Sequence, residues 1–116
     1  MKERLIELLE SFGYPVRLQG SLAAAQEYPQ NFFTYWQNST FENAHYDNRA
    51  VRYTWDFDIN FYSVDPETVN RVLLEARELL EDHGFIIDGF GYDVGSDEIT
   101  HTGMGMRALI MRNEEG

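Results

Sequence analysis

The chain has 116 residues, no cysteine, 20 acidic against 9 basic residues, a net charge of −11 and 15% aromatic residues. That length makes one domain, 1–116, the absence of cysteine excludes a disulfide framework and a thiolate metal site, and the negative field argues against specific nucleic-acid binding and against an anionic membrane. No apolar run approaches the roughly 18 residues of a membrane span, the start of the chain is charged and amphipathic, unlike a signal peptide, and the surplus of aromatics suits an interface.

Residues 3–12 predict a helix, with Leu5, Leu8, Leu9 and Phe12 on one face and Gly13 placed to close it. Residues 14–19 predict a short strand in which Tyr14, Val16 and Leu18 alternate with Pro15, Arg17 and Gln19. Pro15 has no N–H for a ladder and belongs at a strand start or on an edge. Residues 20–50 show little periodicity. Residues 23–27 could make one helical turn, a strand is expected within 31–37, and 38–50 reads as an extended loop of turn formers and isolated aromatics. A stretch this long without regular structure is functional or disordered in a compact domain, and its aromatics favour an arm that packs on a neighbour.

The clearest signal follows. Val51, Tyr53, Trp55, Phe57, Ile59 and Phe61 alternate with Arg52, Thr54, Asp56, Asp58, Asn60 and Tyr62, a period of two that predicts a half-buried antiparallel strand. A helix comes directly after it: Asp65 caps, Pro66 takes the first position, Glu67 faces the positive end of the dipole, and Val69, Val72, Leu73, Ala76, Leu79 and Leu80 make one apolar stripe. His83 and Gly84 end it. Residues 85–88 predict a strand, and Gly89, Gly91 and Gly95 then suggest a bulge or a close backbone approach. Residues 95–103 read as a polar turn region, 104–112 as the last strand and 113–116 as a frayed polar tail. The order implies an α+β domain: an antiparallel β-sheet of about four to five strands with two helices packed on one face.

Asp56 and Asp58 stand two apart on the polar face of the central strand, a placement that could hold a hard cation or do acid–base work together with Asp93, Asp97, Glu98 and His101. In a chain with 20 acidic residues a solvated acidic face is the simpler reading. No helical His–Glu–His spacing or calcium-loop signature supports a metal, and Ser96 is near His101 only in sequence. His83 reads as a helix C-terminal residue meeting the dipole. The glycines at 89, 91 and 95 precede no helix and are no phosphate loop, Gly103 and Gly105 suit a tight strand crossing, and Met104, Met106 and Met111 read as core or interface filler. No cofactor is expected and no residue is assigned to catalysis.

The segments YPQNFFTYW (28–36), HYDN (45–48), the Trp55-Asp56-Phe57 strand, the Asp65-Pro66 cap and YDVGSDEITHTG (92–103) resemble a family of small proteins from the head–tail gene cluster of long-tailed phages and prophages. That family is similar in size and element order to tail-terminator, or tail-completion, proteins. The resemblance, over residues 15–112, implies a non-enzymatic virion protein, made in the bacterial cytoplasm, that assembles as a six-membered ring on the tail tube and meets the head–tail connector. On that reading the 20–50 arm reaches an adjacent subunit, with Phe32, Phe33, Tyr35, Trp36, His45 and Tyr46 at the interface. Asp56 and Asp58 would line a lumen that lets DNA pass without sticking. Alternatives are a head-completion (stopper) protein of the connector, a small acidic metal-binding or enzymatic domain using Asp56, Asp58, Asp93 and His101, and a regulatory protein that binds a basic partner.

Overall fold

A computed structural model describes residues 1–19, 29–38, 41–43, 51–94 and 101–114, with 41–43, 51–53 and 112–114 described by backbone alone. The elements run α1 (Lys2–Glu10), β1 (Val16–Leu18), β2 (Asn31–Gln37), β3 (Phe41–Asn43), β4 (Val51–Ser63), α2 (Pro66–Asp82), β5 (Ile86–Val94) and β6 (Thr102–Glu114). The α+β class holds. One open sheet has the order β1-β2-β4-β6-β5, and β3 pairs with β4 off that path.

The period-two strand and its helix form as their sequence dictates. β4 takes the centre of the sheet and pairs along its whole length with β6, from Val51↔Glu114 to Ser63↔Thr102. Its odd positions face the helices: Phe57, Ile59 and Phe61 are fully buried. α2 begins at Asp65, whose carboxylate accepts the Glu67 N–H at 3.1 Å and the Thr68 hydroxyl at 3.0 Å. Those contacts satisfy donors that a helix start otherwise leaves free. Val69, Val72, Leu73, Ala76 and Leu80 bury the α2 stripe against the sheet. The helix ends with the His83 ring 2.9 Å from the Leu79 carbonyl and with Gly84 at φ +93°. β4 and β5 both run antiparallel to β6, which lies between them, so β4-α2-β5 is a split β-α-β unit.

One cluster of buried side chains holds both helices on the same face. Leu5, Leu8 and Leu9 of α1 join the α2 stripe and meet Phe33, Phe57, Ile59, Phe61, Met106, Ala108 and Ile110 of the sheet. Phe33 and Phe61, directly opposite in the β2–β4 ladder, have ring centroids 4.7 Å apart. Full burial of such rings is worth about 1.5–3 kcal/mol each, so this cluster holds the fold together.

Four expectations need correction. The sheet is not wholly antiparallel: β1 pairs with β2 in parallel, Val16 opposite Phe33. A parallel neighbour requires a crossover, and residues 19–30 supply the length for one. The segment 38–50 is not loop throughout, because Phe41–Asn43 pairs with Thr54, Tyr53 and Arg52 and continues the line of β2 along the same edge of β4. The last strand starts two residues earlier than expected. It also runs into the supposed tail, since Asn113 and Glu114 are in register with Arg52 and Val51. The bulge expected at the glycines is present: the β5–β6 register shifts between Asp88 and Tyr92, and Gly89 (φ +68°) and Gly91 (φ +87°) take backbone angles that side chains disfavour. The helical turn expected at 23–27 and the rest of the 20–50 arm lie outside the described residues.

Candidate functional site on the uncovered face of the sheet

Both helices lie on one side, and the even positions of β4 face the other. Among the described residues no helix covers that second face. The register lays its side chains in rows across the strands. One row reads Trp36, Asp58, Arg107, Asp88 and the next Thr34, Asn60, Gly105, Tyr92; a third reads Phe32, Tyr62, Gly103, Val94.

Glycine opens two places in this surface. A Cβ on Gly103 would lie 2.5 Å from Cε1 of Tyr62, and one on Gly105 would lie 2.8 Å from Cε2 of Tyr92 and would collide with Oδ1 of Asn60. The rings of Tyr62 and Tyr92 therefore occupy the space that side chains at these positions would take. Aromatic cover over a strand glycine restores packing that the glycine lacks. Phe32 stacks on Tyr62 at 5.0 Å and meets the edge of His101 at 5.7 Å. The His101 ring also reaches the Pro29 carbonyl at 2.7 Å, which ties the entry of β2 to the start of β6.

The charged centre is an ion pair further along the same face, between Asp56 of β4 and Arg107 of β6. Asp56 is 3% exposed. Its carboxylate accepts Arg107 Nε–H at 3.0 and 3.1 Å, Arg107 Nη2–H at 2.5 Å and Asn38 Nδ2–H at 3.2 Å. Arg107 sits directly opposite Asp58 but reaches the diagonal Asp56, within the span of a long side chain. The guanidinium is half-exposed and also lies 3.6 Å from Asp88. The Arg107 hydrogen bonds hold the Asp56 carboxyl below the usual range against the opposing effect of burial, and the Asn38 bond adds to them. The same carboxylate raises Arg107. Burial raises the Tyr92 phenol, and the nearby Asp58 charge raises it further. Thr34 Oγ1, between Arg17 and Asn60 in the register, is buried without a hydrogen-bond partner.

The residues expected to act are thus distributed as follows. Asp56 and Asp58 do share a face, but the Asp56 charge is taken up by Arg107 and does not present itself as an acidic lining. Asp93 pairs with Met104 and so lies on the helix side of the sheet. His101 precedes Thr102 while Asp58 is opposite Arg107, roughly 20 Å along the strand at about 3.3 Å per residue. The four-residue metal constellation is therefore not assembled, and among the described residues no group of three His, Cys, Asp or Glu could hold a metal ion. Among the expected interface aromatics, Phe33 belongs to the core and Phe32 is buried under Tyr62 and His101. Tyr35 packs partly against the core, and Trp36, 47% exposed, is the one among the described residues of this set that offers a large open surface. His45, Tyr46, Ser96, Asp97 and Glu98 lie outside the described residues. Arg107 and Tyr92 were not singled out by sequence reasoning. The signal for Arg107 was a cation in the middle of the otherwise apolar run 104–111.

No family model matches the chain, and no curated protein matches it. No described helix is long and apolar enough to cross a membrane.

Proposed function

We propose that the chain is a structural virion protein of the tail-terminator or head–tail joining type, acting at the end of the tail tube by ring assembly. The observation that carries this reading is the open sheet with two unlike edges, β1 at one side and β5 at the other, neither paired with a further strand among the described residues. Heterologous contact of one patch with a different patch on the next copy closes a ring. The family-like segments at 28–36, 45–48, 55–57, 65–66 and 92–103 support the same reading. Trp36 is its interface anchor among the described residues, since exposed tryptophan is a frequent hot spot.

Light scattering coupled to size exclusion, over a concentration series with and without the cognate tail-tube protein, tests it. A closed ring, alone or on the tube, is the expected result. A chain that stays monomeric and ignores the tube at every concentration overturns it. A stopper protein would instead bind the connector and leave the tube alone in the same experiment.

A further inference from the structure

We infer that Trp36, Asp58 and Tyr92 form a slot on the uncovered sheet face that takes an arginine side chain from a basic segment of a separate protein. The inference does not depend on ring assembly and competes with it for Trp36, since a neighbouring copy seated on Trp36 would close the slot. Trp36 and Asp58 are directly opposite in the β2–β4 ladder, which brings their Cβ atoms within about 5 Å. Tyr92 approaches from the other side, its ring laid across Gly105 toward Asn60, with 41% of the residue exposed. Asp58 is half-buried between them and makes no hydrogen bond or ion pair with the described residues. Its charge is felt at both Tyr92 and Arg107.

The charge on this face sets the class of occupant. One guanidinium, Arg107, stands among three carboxylates, Asp56, Asp58 and Asp88. Asp56 takes the Nε–H and an Nη2–H of the guanidinium, and three carboxylates against one cation leave the row around Asp58 with excess negative charge. Two exposed aromatic rings beside an unpaired carboxylate complement a planar cation. Arginine satisfies both, stacking on aromatic faces while its fork meets the carboxylate. A second copy of this chain is a poor source of a basic segment, because it has 9 basic residues against 20 acidic ones. Exposed Ile86 and Met111 continue the same face beyond the ion pair, so a segment mixing basic and apolar residues fits best.

The test uses the whole chain and a capped Gly-Arg-Gly peptide, read by the indole N–H resonances of the two tryptophans. Trp55 faces the helix side and serves as the internal reference. The expected result is a saturable shift of Trp36 alone with a Kd on the order of 1–10 mM. Asp58→Asn should weaken it about two- to fivefold, and Tyr92→Leu about two- to fivefold. An unaltered amide spectrum shows that each variant is folded. The inference is overturned by an equal shift in Asp58→Asn, by an equal shift with a norleucine peptide, or by no saturable shift. It is also overturned if the Trp36 resonance moves with protein concentration alone and Arg17→Gln abolishes that movement. In that case the occupant is another copy.

Discussion

Replacing Asp56 by asparagine is the sharpest test of how the uncovered face is held. The substitution keeps the shape and removes the charge, so it reproduces the protonated carboxyl. In the native chain Asp56 is buried and accepts four close hydrogen-bond contacts, three of them from Arg107. Hydrogen bonds to a charged group contribute about 1.5–3 kcal/mol. Because water reaches the half-exposed outer side of the guanidinium, the lower part of that range applies, about 1.5–2 kcal/mol. At about 4 °C per kcal/mol for a domain of this size, the melting temperature should fall by about 6–8 °C. The pH dependence carries the stronger discrimination. The folded carboxyl sits below its ordinary value, chiefly through the Arg107 hydrogen bonds. Its stabilisation is therefore complete above the unfolded value of about 3.9 and is lost as pH falls through the lower folded value. Urea midpoints of the native chain and Asp56→Asn should differ at neutral pH and converge in that acid window. A difference under about 0.5 kcal/mol at neutral pH, or one that persists unchanged into acid, would refute the reasoning.

Asp58→Asn should change stability by no more than about 0.5 kcal/mol, because Asp58 has no partner to lose among the described residues; the same urea titration checks it. Gly105→Ala should cost about 1–3 kcal/mol by displacing Asn60 and Tyr92, measured by chemical denaturation. Asp65→Ala removes the N-cap of α2 and should cost about 1 kcal/mol by the same assay. Phe33→Ala should cost about 3–5 kcal/mol as a core deletion, whereas Trp36→Ala should leave the free chain nearly unchanged and reduce association with a partner.

The strand–helix unit was legible because two different periods stand side by side without a break. Val51 to Phe61 repeats every two residues, and Val69 to Leu80 every three or four. The glycine bulge was legible for a similar reason, since Gly89 and Gly91 interrupt an otherwise regular strand. What escaped was whatever depended on register between distant segments. Asp56 and Arg107 meet only because Asp58 falls opposite Arg107, and nothing in either strand alone sets that alignment. Phe32 and Phe33 point to opposite faces as neighbours in a strand must. Both are nonetheless buried, because Tyr62 and His101 cover the outer one. A sequence of consecutive aromatics does not distinguish that arrangement from an exposed anchor. Three residues of β1 were too few to reveal their parallel partner.

The long pairing of β4 with β6 bears on how quickly the chain reaches its native state. Ser63 must find Thr102 and Val51 must find Glu114, with α2 and β5 intervening. No hairpin turn joins these two strands, so the central ladder begins only after a large loop has closed and its entropy has been lost. Topologies dominated by such non-local contacts fold slowly, on the order of milliseconds to seconds. β5 and β6, adjacent in the chain, can pair early, while β4 docks onto the free side of β6 later. Substitutions along β4 should therefore slow folding, whereas the loss of peripheral β1 contacts should mainly hasten unfolding.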